Sequence, residues 1–197
     1  MLVFALLFIY FYYGPQQSII LPSRPSPLPV PQDTIIIPTG KIYDPTNTGI
    51  VTTAYDVRWV SMQPMIHNWD KIMVDLNYYN NWQHHQVTAW DVVIFENPFT
   101  LNRIIKRVLI VPGDTVQKDL KNKTLLVNGK ILVNSVWESY IFDDLAYKWI
   151  DIYTKSGVIM ANTYYLYGDN IHGSLDSRKT WPVTMEWILG KEVWIIQ

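Results

Sequence analysis

The sequence predicts an all-β domain, and two observations carry that prediction. Short apolar runs rich in Val, Ile and Tyr alternate with turn signals such as Pro-Gly-Asp, Asn-Gly-Lys and Gly-Asp-Asn. Runs of four to eight such residues between turn residues are typical of β-strands. The runs are KIMVDL, DVVIFE, RIIKRVLIV, TLLV, KILVNSV, YYLY and ILGKEVWII. One stretch, near residues 137–150, favours a short helix instead.

Length and composition exclude several classes of protein. A chain of 197 residues can bury one good core, so we expect one globular unit. The 16 Lys and Arg residues against 17 Asp and Glu give a net charge of -1, which leaves no basic face for nucleic acid. Cysteine is absent, so a disulfide framework, a thiolate nucleophile and a Cys-ligated zinc site are excluded. Charged residues are only 17% of the chain, which favours an apolar surface.

The N-terminal segment MLVFALLFIYFYY carries no charge, and residues 1–14 are predicted to form a membrane anchor. As a helix this segment spans only about 20 Å, short of the roughly 30 Å hydrocarbon core, so the anchor is predicted to be incomplete. The alternative is the apolar region of a signal peptide. The absence of a preceding basic region and of a small-x-small cleavage site favours the anchor. Residues 15–54 are rich in proline and predict a tether, followed by a β domain over residues 55–197.

Two residues in this β domain can be interpreted either as reactive groups or as ordinary structural residues. Ser61 follows an apolar run and begins the tetrapeptide Ser-Met-Gln-Pro, where a serine can simply start a turn. Lys106 lies inside the apolar run RIIKRVLIV, where its stem can extend to solvent. Burial would instead lower the pKa of a lysine from about 10.4, and a neutral lysine is a competent base for a serine hydroxyl. If Lys106 were buried beside a reactive serine, the two would form a Ser-Lys pair of the kind that replaces the Ser-His-Asp arrangement, and no histidine would be needed.

Six short motifs, taken in order, resemble those of bacterial type I signal peptidases. They are Ser-Met-x-Pro, Asp-Val-Val-x-Phe, Lys-Arg-Val, Pro-Gly-Asp-x-Val, Val-Asn-Gly-Lys and Gly-Asp-Asn followed by Ser-x-Asp-Ser-Arg, between about residue 57 and the C-terminus. The resemblance implies that Ser61 is the nucleophile, that Lys106 is the general base, and that the Ser61 N–H contributes to an oxyanion hole. It further implies residues that orient the lysine or brace the site: Ser174, Asp176, Arg178 and Arg107. The implied substrate-groove residues are Met62, Pro64, Ile104 and Ile105, and the implied motif loop is Gly168, Asp169 and Asn170.

The same resemblance implies a fold, a function and a location. We expect a signal-peptidase-like catalytic β-barrel or sandwich with a small inserted subdomain at about residues 117–160 and an N-terminal membrane helix. We expect a membrane-bound serine endopeptidase that removes signal peptides from exported preproteins and cuts after small residues. Its expected partners are those signal peptides, the lipid bilayer and the protein-export translocon, without nucleic acid, metal or cofactor. The expected state is a monomer in the bacterial cell membrane, crossing it once, with the catalytic domain on the extracytoplasmic side.

The sequence is also compatible with two other functions. One is a related Ser-Lys maturation peptidase of a secretion or conjugation system. The other is a catalytically impaired, membrane-tethered binding paralogue whose groove is blocked by Trp59. A self-cleaving repressor is disfavoured, because such a protein would carry a DNA-binding motif and no apolar N-terminus. Histidine chemistry is disfavoured too: His67 lies near Ser61 but off the basic strand, and His84 and His85 lie in a polar stretch without a third metal ligand.

Four tryptophans stand where the resembling family usually carries a small residue, most often glycine: Trp59, Trp69, Trp90 and Trp181. Tryptophan neither reaches positive φ freely nor lets backbones approach closely, as glycine does. Glycine is also scarce, with 9 residues where about 14 are usual, and tryptophan also numbers 9. One hypothesis is that the turns are rebuilt around aromatic rings. The other is that UGA codons read as glycine by the host appear as tryptophan in the translated sequence.

Overall fold

The structure is a computed structural model, and it describes residues 35–43, 52–80 and 85–196. The predicted membrane anchor at residues 1–14 lies outside the described residues, as does the first part of the predicted tether. Within the described residues, the strands are β1 Ile35–Tyr43, β2 Thr52–Arg58, β3 Lys71–Asp75, β4 Val92–Glu96, β5 Arg103–Ile110, β6 Val116–Asp119, β7 Thr124–Val127, β8 Lys130–Ile131, β9 Thr154–Lys155, β10 Val158–Ile159, β11 Tyr165–Tyr167 and β12 Ile188–Ile196. One α-helix, α1, runs over Asp144–Ile152, and a 3-10 turn covers Met185–Trp187. The prediction of an all-β fold is confirmed.

Seven strands form one antiparallel sheet in the order β1-β2-β3-β12-β4-β5-β11. An additional pairing between Ile35 of β1 and Ile104 of β5 brings the two sides of the sheet together and curls it. The side chains enclosed by this curl form a core that includes Tyr55, Val57, Ile72 and Ile105, all of which are fully buried. The curl matters for the site because it brings the end of β2 against β5.

Strand β1 lies within the segment that the sequence predicts as a tether, so the sheet begins earlier than the predicted boundary at residue 55. It pairs with β2 from Ile35 opposite Arg58 to Tyr43 opposite Thr52. Proline usually disqualifies a central strand, but Pro38 lies beside a register shift in this pairing, where proline is tolerated. Ile36 is buried against the core, so the strand is held by packing as well as by its ladder.

An inserted segment, residues 111–164, connects β5 to β11. It contains the small sheet β6-β7-β8, helix α1 and the hairpin β9-β10. Helix α1 begins later than the stretch predicted as helical, because Asp143 caps it by accepting a 2.8 Å hydrogen bond from the Ala146 N–H. Its buried face packs into a second core that also contains Tyr140 and Phe142. Among the described residues, no helix is long and apolar enough to cross a bilayer.

Candidate active site

Ser61 lies in a turn directly after β2. The turn is closed by two backbone hydrogen bonds, from the Gln63 N–H to the Val60 oxygen at 3.1 Å and from the Ile66 N–H to the Met62 oxygen at 3.0 Å. Ser61 is only 1% exposed, so its hydroxyl faces the protein interior rather than bulk solvent. Packing therefore fixes the direction of the Ser61 hydroxyl, whereas the hydroxyl of a serine in an open surface turn is free to rotate.

Lys106 approaches this serine from β5. Its amine donates a 2.8 Å hydrogen bond to Ser61 Oγ and also lies 3.3 Å from the backbone oxygen of Ile105. Lys106 is 1% exposed, so its stem does not extend to solvent. Side chains alternate along a strand, and the side chain of Lys106 therefore points to the face opposite that of its neighbours Ile105 and Arg107. The two residues that the motifs single out are in direct contact across 45 positions of sequence.

Ser174, which is predicted to orient the lysine, is buried beside the same turn. A Cβ placed on Gly168 would lie 2.5 Å from Ser174 Cβ and equally close to the backbone oxygen of Ser61, so the three residues are packed together. The Ser174 hydroxyl has no hydrogen-bond partner in the part of the chain that the structure describes. Its orienting bond to Lys106 therefore stays a prediction.

Asp176 and Arg178 form a buried ion pair below the site. The guanidinium donates two hydrogen bonds to the Asp176 carboxylate, from Nε at 2.9 Å and from Nη2 at 2.8 Å. Arg178 also donates to the backbone oxygen of Ile171, and Asp176 accepts from the Gly168 N–H at 3.1 Å. The pair thus holds both ends of the loop that carries the motif Gly-Asp-Asn.

A second buried ion pair links that loop to β5. Arg107 donates to both carboxylate oxygens of Asp169, from Nε at 2.8 Å and from Nη2 at 2.7 Å. Burial alone would lower the pKa of Arg107, but hydrogen bonding to Asp169 and the charge of this carboxylate outweigh burial and raise the pKa above the ordinary arginine value. Because Arg107 follows Lys106 in β5, this fork fixes the loop relative to the strand that carries the lysine.

The predicted groove residues are placed differently from one another. Met62, Ile104 and Ile105 are 1% exposed or less, so they belong to the core in this structure rather than to an open groove surface. Pro64 is exposed, and the peptide bond before it is cis. Neighbouring residues of a strand face opposite sides of the sheet, and Ile104 and Ile105 are both buried because both faces of the sheet are covered here.

A cavity of about 200 Å³ reaches Lys106 and Asp176 from the side of the β4-β5 loop. Its apolar wall includes Phe95, Leu166 and Trp181. Trp181 packs edge-on against Phe99, with ring centroids 4.8 Å apart. Lys106, although buried by side chains, therefore borders a partly open cavity large enough to admit water.

Two site residues are not signalled by the motifs. Tyr140 donates to the backbone oxygen of Gly168 at 2.9 Å, and Asn134 donates to the backbone oxygen of Asp169 at 2.9 Å. Both belong to the inserted segment, about 30 positions before the loop that they contact, and neither lies in a recognisable pattern. His67, the alternative base, is half exposed in the turn and pairs with Asp70 at 3.5 Å.

Comparisons with known proteins identify the family of the chain. The family model described as "Signal peptidase, peptidase S26" matches residues 46–197. Signal peptidase IB of Staphylococcus aureus is 30% identical over 154 residues, which cover 72% of this chain and 75% of the relative. Signal peptidase I of Bacillus amyloliquefaciens is 31% identical over 131 residues, which cover 63% of this chain and 64% of the relative. A solved signal peptidase I from Enterococcus faecalis V583 is similar with a TM-score of 0.37 and 23% identity, covering 54% of this chain and 97% of that structure. The chain therefore belongs to the signal peptidase family of serine peptidases, peptidase S26.

Proposed function

We propose that this chain removes signal peptides from exported preproteins, with Ser61 as the nucleophile and Lys106 as the general base. The observation that carries the proposal is the 2.8 Å contact between Lys106 Nζ and Ser61 Oγ, made where both residues are 1% exposed. Removal of an ammonium from water penalises its charged form, and only the neutral amine can accept a proton. A buried amine within hydrogen-bond distance of a buried hydroxyl meets the geometric requirement for a base and its nucleophile.

The proposed reaction has two steps. Lys106 takes the hydroxyl proton as Ser61 Oγ bonds to the carbonyl carbon of the scissile peptide, and the resulting oxyanion is held by the Ser61 N–H and further donors. The ammonium then returns the proton to the leaving amine, the C–N bond breaks, and an acyl ester remains on Ser61. Lys106 then takes a proton from water, the water oxygen bonds to the ester carbon, and the bond from that carbon to Ser61 Oγ breaks as the ammonium returns the proton to Oγ, which releases the signal peptide and the free serine. In this scheme Ser174 orients Lys106.

The proposed location is the extracytoplasmic face of the bacterial cell membrane. Residues 1–14 would anchor the chain there. Because β1 already belongs to the sheet, the tether is shortened in this proposal to residues 15–34, and the catalytic domain starts with β1. A tether rich in proline is semi-rigid and keeps the domain close to the lipid from which a signal peptide emerges.

The test is cleavage of a precursor with an Ala-x-Ala site by the full chain reconstituted in lipid vesicles. We expect one cut after the second alanine, identified by product mass, and no cut in a matched precursor with phenylalanine at that position. Ser61→Ala serves as the blank for contaminating proteases. The absence of cleavage by the parent would favour the impaired binding paralogue, and cleavage in both precursors would contradict specificity for small residues.

The same assay has a pH dependence that follows from a lysine base. The rate should rise with pH through an apparent pKa below about 10.4, because only the neutral amine is active. Glu192 must be controlled, since burial raises its pKa to about 7 although Arg107 and Lys191 oppose the shift. The contribution of Glu192 to folding stability is present at low pH and is lost as pH rises through about 7. This effect would lower the folded fraction as pH rises, whereas the Lys106 amine is expected to raise the cleavage rate. The rise should therefore persist in Glu192→Gln.

A further inference from the structure

The loop of residues 168–170 lies directly against the backbone that carries Ser61. The Asn170 N–H donates to the Ser61 oxygen at 2.9 Å, and the Asn170 side-chain amide donates to the Val60 oxygen at 3.1 Å. Gly168 approaches so closely that a Cβ there would lie 2.5 Å from the Ser61 oxygen. Any displacement of this loop therefore displaces the serine.

Two side chains of the inserted segment hold the same loop by its carbonyl groups. Tyr140 is fully buried and donates to the Gly168 oxygen, while Asn134 is 1% exposed and donates to the Asp169 oxygen. Burial raises the pKa of Tyr140 well above the ordinary tyrosine value, with the charge of Asp169 adding to the shift. The hydroxyl therefore stays protonated, as a donor must, over the whole working range of pH.

We propose that Tyr140 and Asn134 are positioning residues for Ser61, through which the inserted segment sets the direction of the nucleophile. The proposal rests on the proposed role of Ser61. Its physical basis is that a small displacement of a reacting atom, on the order of 1 Å, can slow a reaction about 100-fold. The inserted segment is then part of the catalytic apparatus, although none of its side chains touches the Ser61 hydroxyl among the contacts described above.

The test compares Tyr140→Phe with a matched control from the same segment, Tyr147→Phe. The Tyr147 hydroxyl donates to the Thr124 oxygen at 2.9 Å and to the Asp119 oxygen at 3.1 Å, away from the 168–170 loop. We expect Tyr140→Phe to slow single-turnover cleavage about tenfold with unchanged KM, and Tyr147→Phe to lower only the unfolding temperature. A slower rate in both variants, or in neither, would overturn the positioning role.

Asn134→Asp is the second variant. It keeps the Oδ1 acceptor used by the N–H groups of Val136 and Glu138 but loses the amide that donates to the loop. We expect the same loss of rate at unchanged KM, and a parent-like rate would count against the proposal. Ser61→Ala is measured beside both: cleavage by Ser61→Ala overturns the proposed function itself, whereas its inactivity with a parent-like Tyr140→Phe overturns only the positioning role.

A second inference rests on an independent observation, the backbone of four tryptophans. Their φ angles are 85° at Trp59, 79° at Trp69, 77° at Trp90 and 68° at Trp137. The glycines described with positive φ lie between 76° and 89°, whereas the other non-glycine residues with positive φ lie between 49° and 56°. Residues with a Cβ reach positive φ only in a small region near 50–70°. Three of the tryptophans therefore have the backbone of glycine.

Strand pairing imposes this conformation at two of them. The Trp69 N–H donates to the Val57 oxygen at 2.8 Å, and the Val57 N–H donates back to the Asp70 oxygen at 2.8 Å. The same reciprocal pair joins the segment at Trp90 to Val108, at 2.7 Å and 2.8 Å. The positive φ thus occurs in the turns just before β3 and β4, where two residues pair with one on the neighbouring strand, an arrangement in which glycine is the usual first residue.

The Arg58 guanidinium lies 3.7 Å from the centroid of the Trp69 ring and that of Arg107 lies 5.9 Å from the Trp90 ring, but such contacts contribute only about 0.5–1 kcal/mol at exposed sites. The side chains of the four tryptophans are between 44% and 81% exposed, although tryptophan usually contributes through extensive burial. Trp181, by contrast, has no positive φ and packs against Phe99 and Trp149. Position 181 therefore lacks a positive φ, while Trp137, which the motifs did not single out, has a φ of 68°, within the region that residues with a Cβ reach.

We infer that positions 59, 69 and 90 are glycine positions and that the functional protein carries glycine there. Under this inference the gene has UGA at these positions, read as glycine by its host and as tryptophan in the translated sequence. Glycine at position 59 would also remove a bulky ring two residues before Ser61. The substrate backbone would then approach the nucleophile past a residue that has no side chain.

The first test is the codons: UGA at these three positions supports the inference, and UGG overturns its genetic part. The second is thermal unfolding of Trp69→Gly and Trp90→Gly beside Trp149→Gly, whose tryptophan is in helix α1 with no positive φ. We expect the first two variants to unfold about 2–4 °C higher than the parent for each position, and the control to unfold lower. Lower unfolding temperatures in all three would show that the rings, rather than glycine, suit these turns.

Discussion

Lys106→Met is expected to slow single-turnover cleavage on the order of 10⁴-fold or more, as deeply as Ser61→Ala does. Methionine nearly preserves the volume of the buried lysine stem, so the core around β5 should remain intact. What it removes is the amine that lies 2.8 Å from Ser61 Oγ. Because a nucleophile and its base act as a unit, the double variant should lose little more than either single variant.

The matched control for this prediction is Lys71→Met. Lys71 is half exposed on β3, where its amine pairs with Asp56, so its loss should leave the cleavage rate unchanged. Lys106→Arg adds a sharper comparison, because arginine keeps a positive charge but cannot give up its proton. We expect it to be as inactive as the methionine variant. A Lys106→Met enzyme that cleaves within tenfold of the parent rate would rule out the lysine as the base.

Gly168→Ala is expected to reduce cleavage by about 100-fold or more and to lower the free energy of unfolding by about 1–3 kcal/mol or more. The added Cβ would lie 2.5 Å from Ser174 Cβ and from the Ser61 oxygen, closer than atoms can pack. Both neighbours belong to the site and neither contact involves the free end of a flexible chain, so the new methyl group must displace the serine or the loop. Cleavage and urea unfolding should be measured on the same preparation.

Gly129→Ala separates this steric effect from backbone strain. Gly129 has a φ of 76° in the turn between β7 and β8, and a Cβ there would meet nothing within 4 Å. We expect it to cost about 1–2 kcal/mol of stability, from the left-handed backbone alone, and to cleave at the parent rate. If Gly168→Ala also cleaved at the parent rate, the close packing of the loop against Ser61 would have no catalytic meaning.

Local patterns predicted most of the strands because short-range alternation and turn residues determine them. The run KIMVDL contains β3, DVVIFE contains β4 and ILGKEVWII coincides with β12. Strand β1 was missed, because its segment contains a proline and continues a proline-rich stretch. What makes it a strand is its pairing with β2 and the burial of Ile36, and both depend on residues far away in sequence.

The site residues, too, fall into those that local motifs predicted and those that they did not. The motifs singled out Ser61 and Lys106, and they also selected the partners of two buried ion pairs, Arg107 with Asp169 and Asp176 with Arg178. They did not indicate Tyr140, because a tyrosine in a loop has no spacing that reports its distant contact. Nor could they tell which apolar residues would face a groove, since both faces of this sheet are buried.

The sequence by itself determined the fold class, the family motifs and the identity of the serine and the lysine, because each of these is written in short runs of neighbouring residues. Only the tertiary structure decided that the lysine is buried rather than extended to solvent, that its amine meets the serine hydroxyl, and that the inserted segment holds the loop behind them. It also decided which tryptophans occupy a glycine backbone. These properties arise when a sheet curls and brings residues distant in sequence into contact, and packing of that kind leaves no local pattern to read.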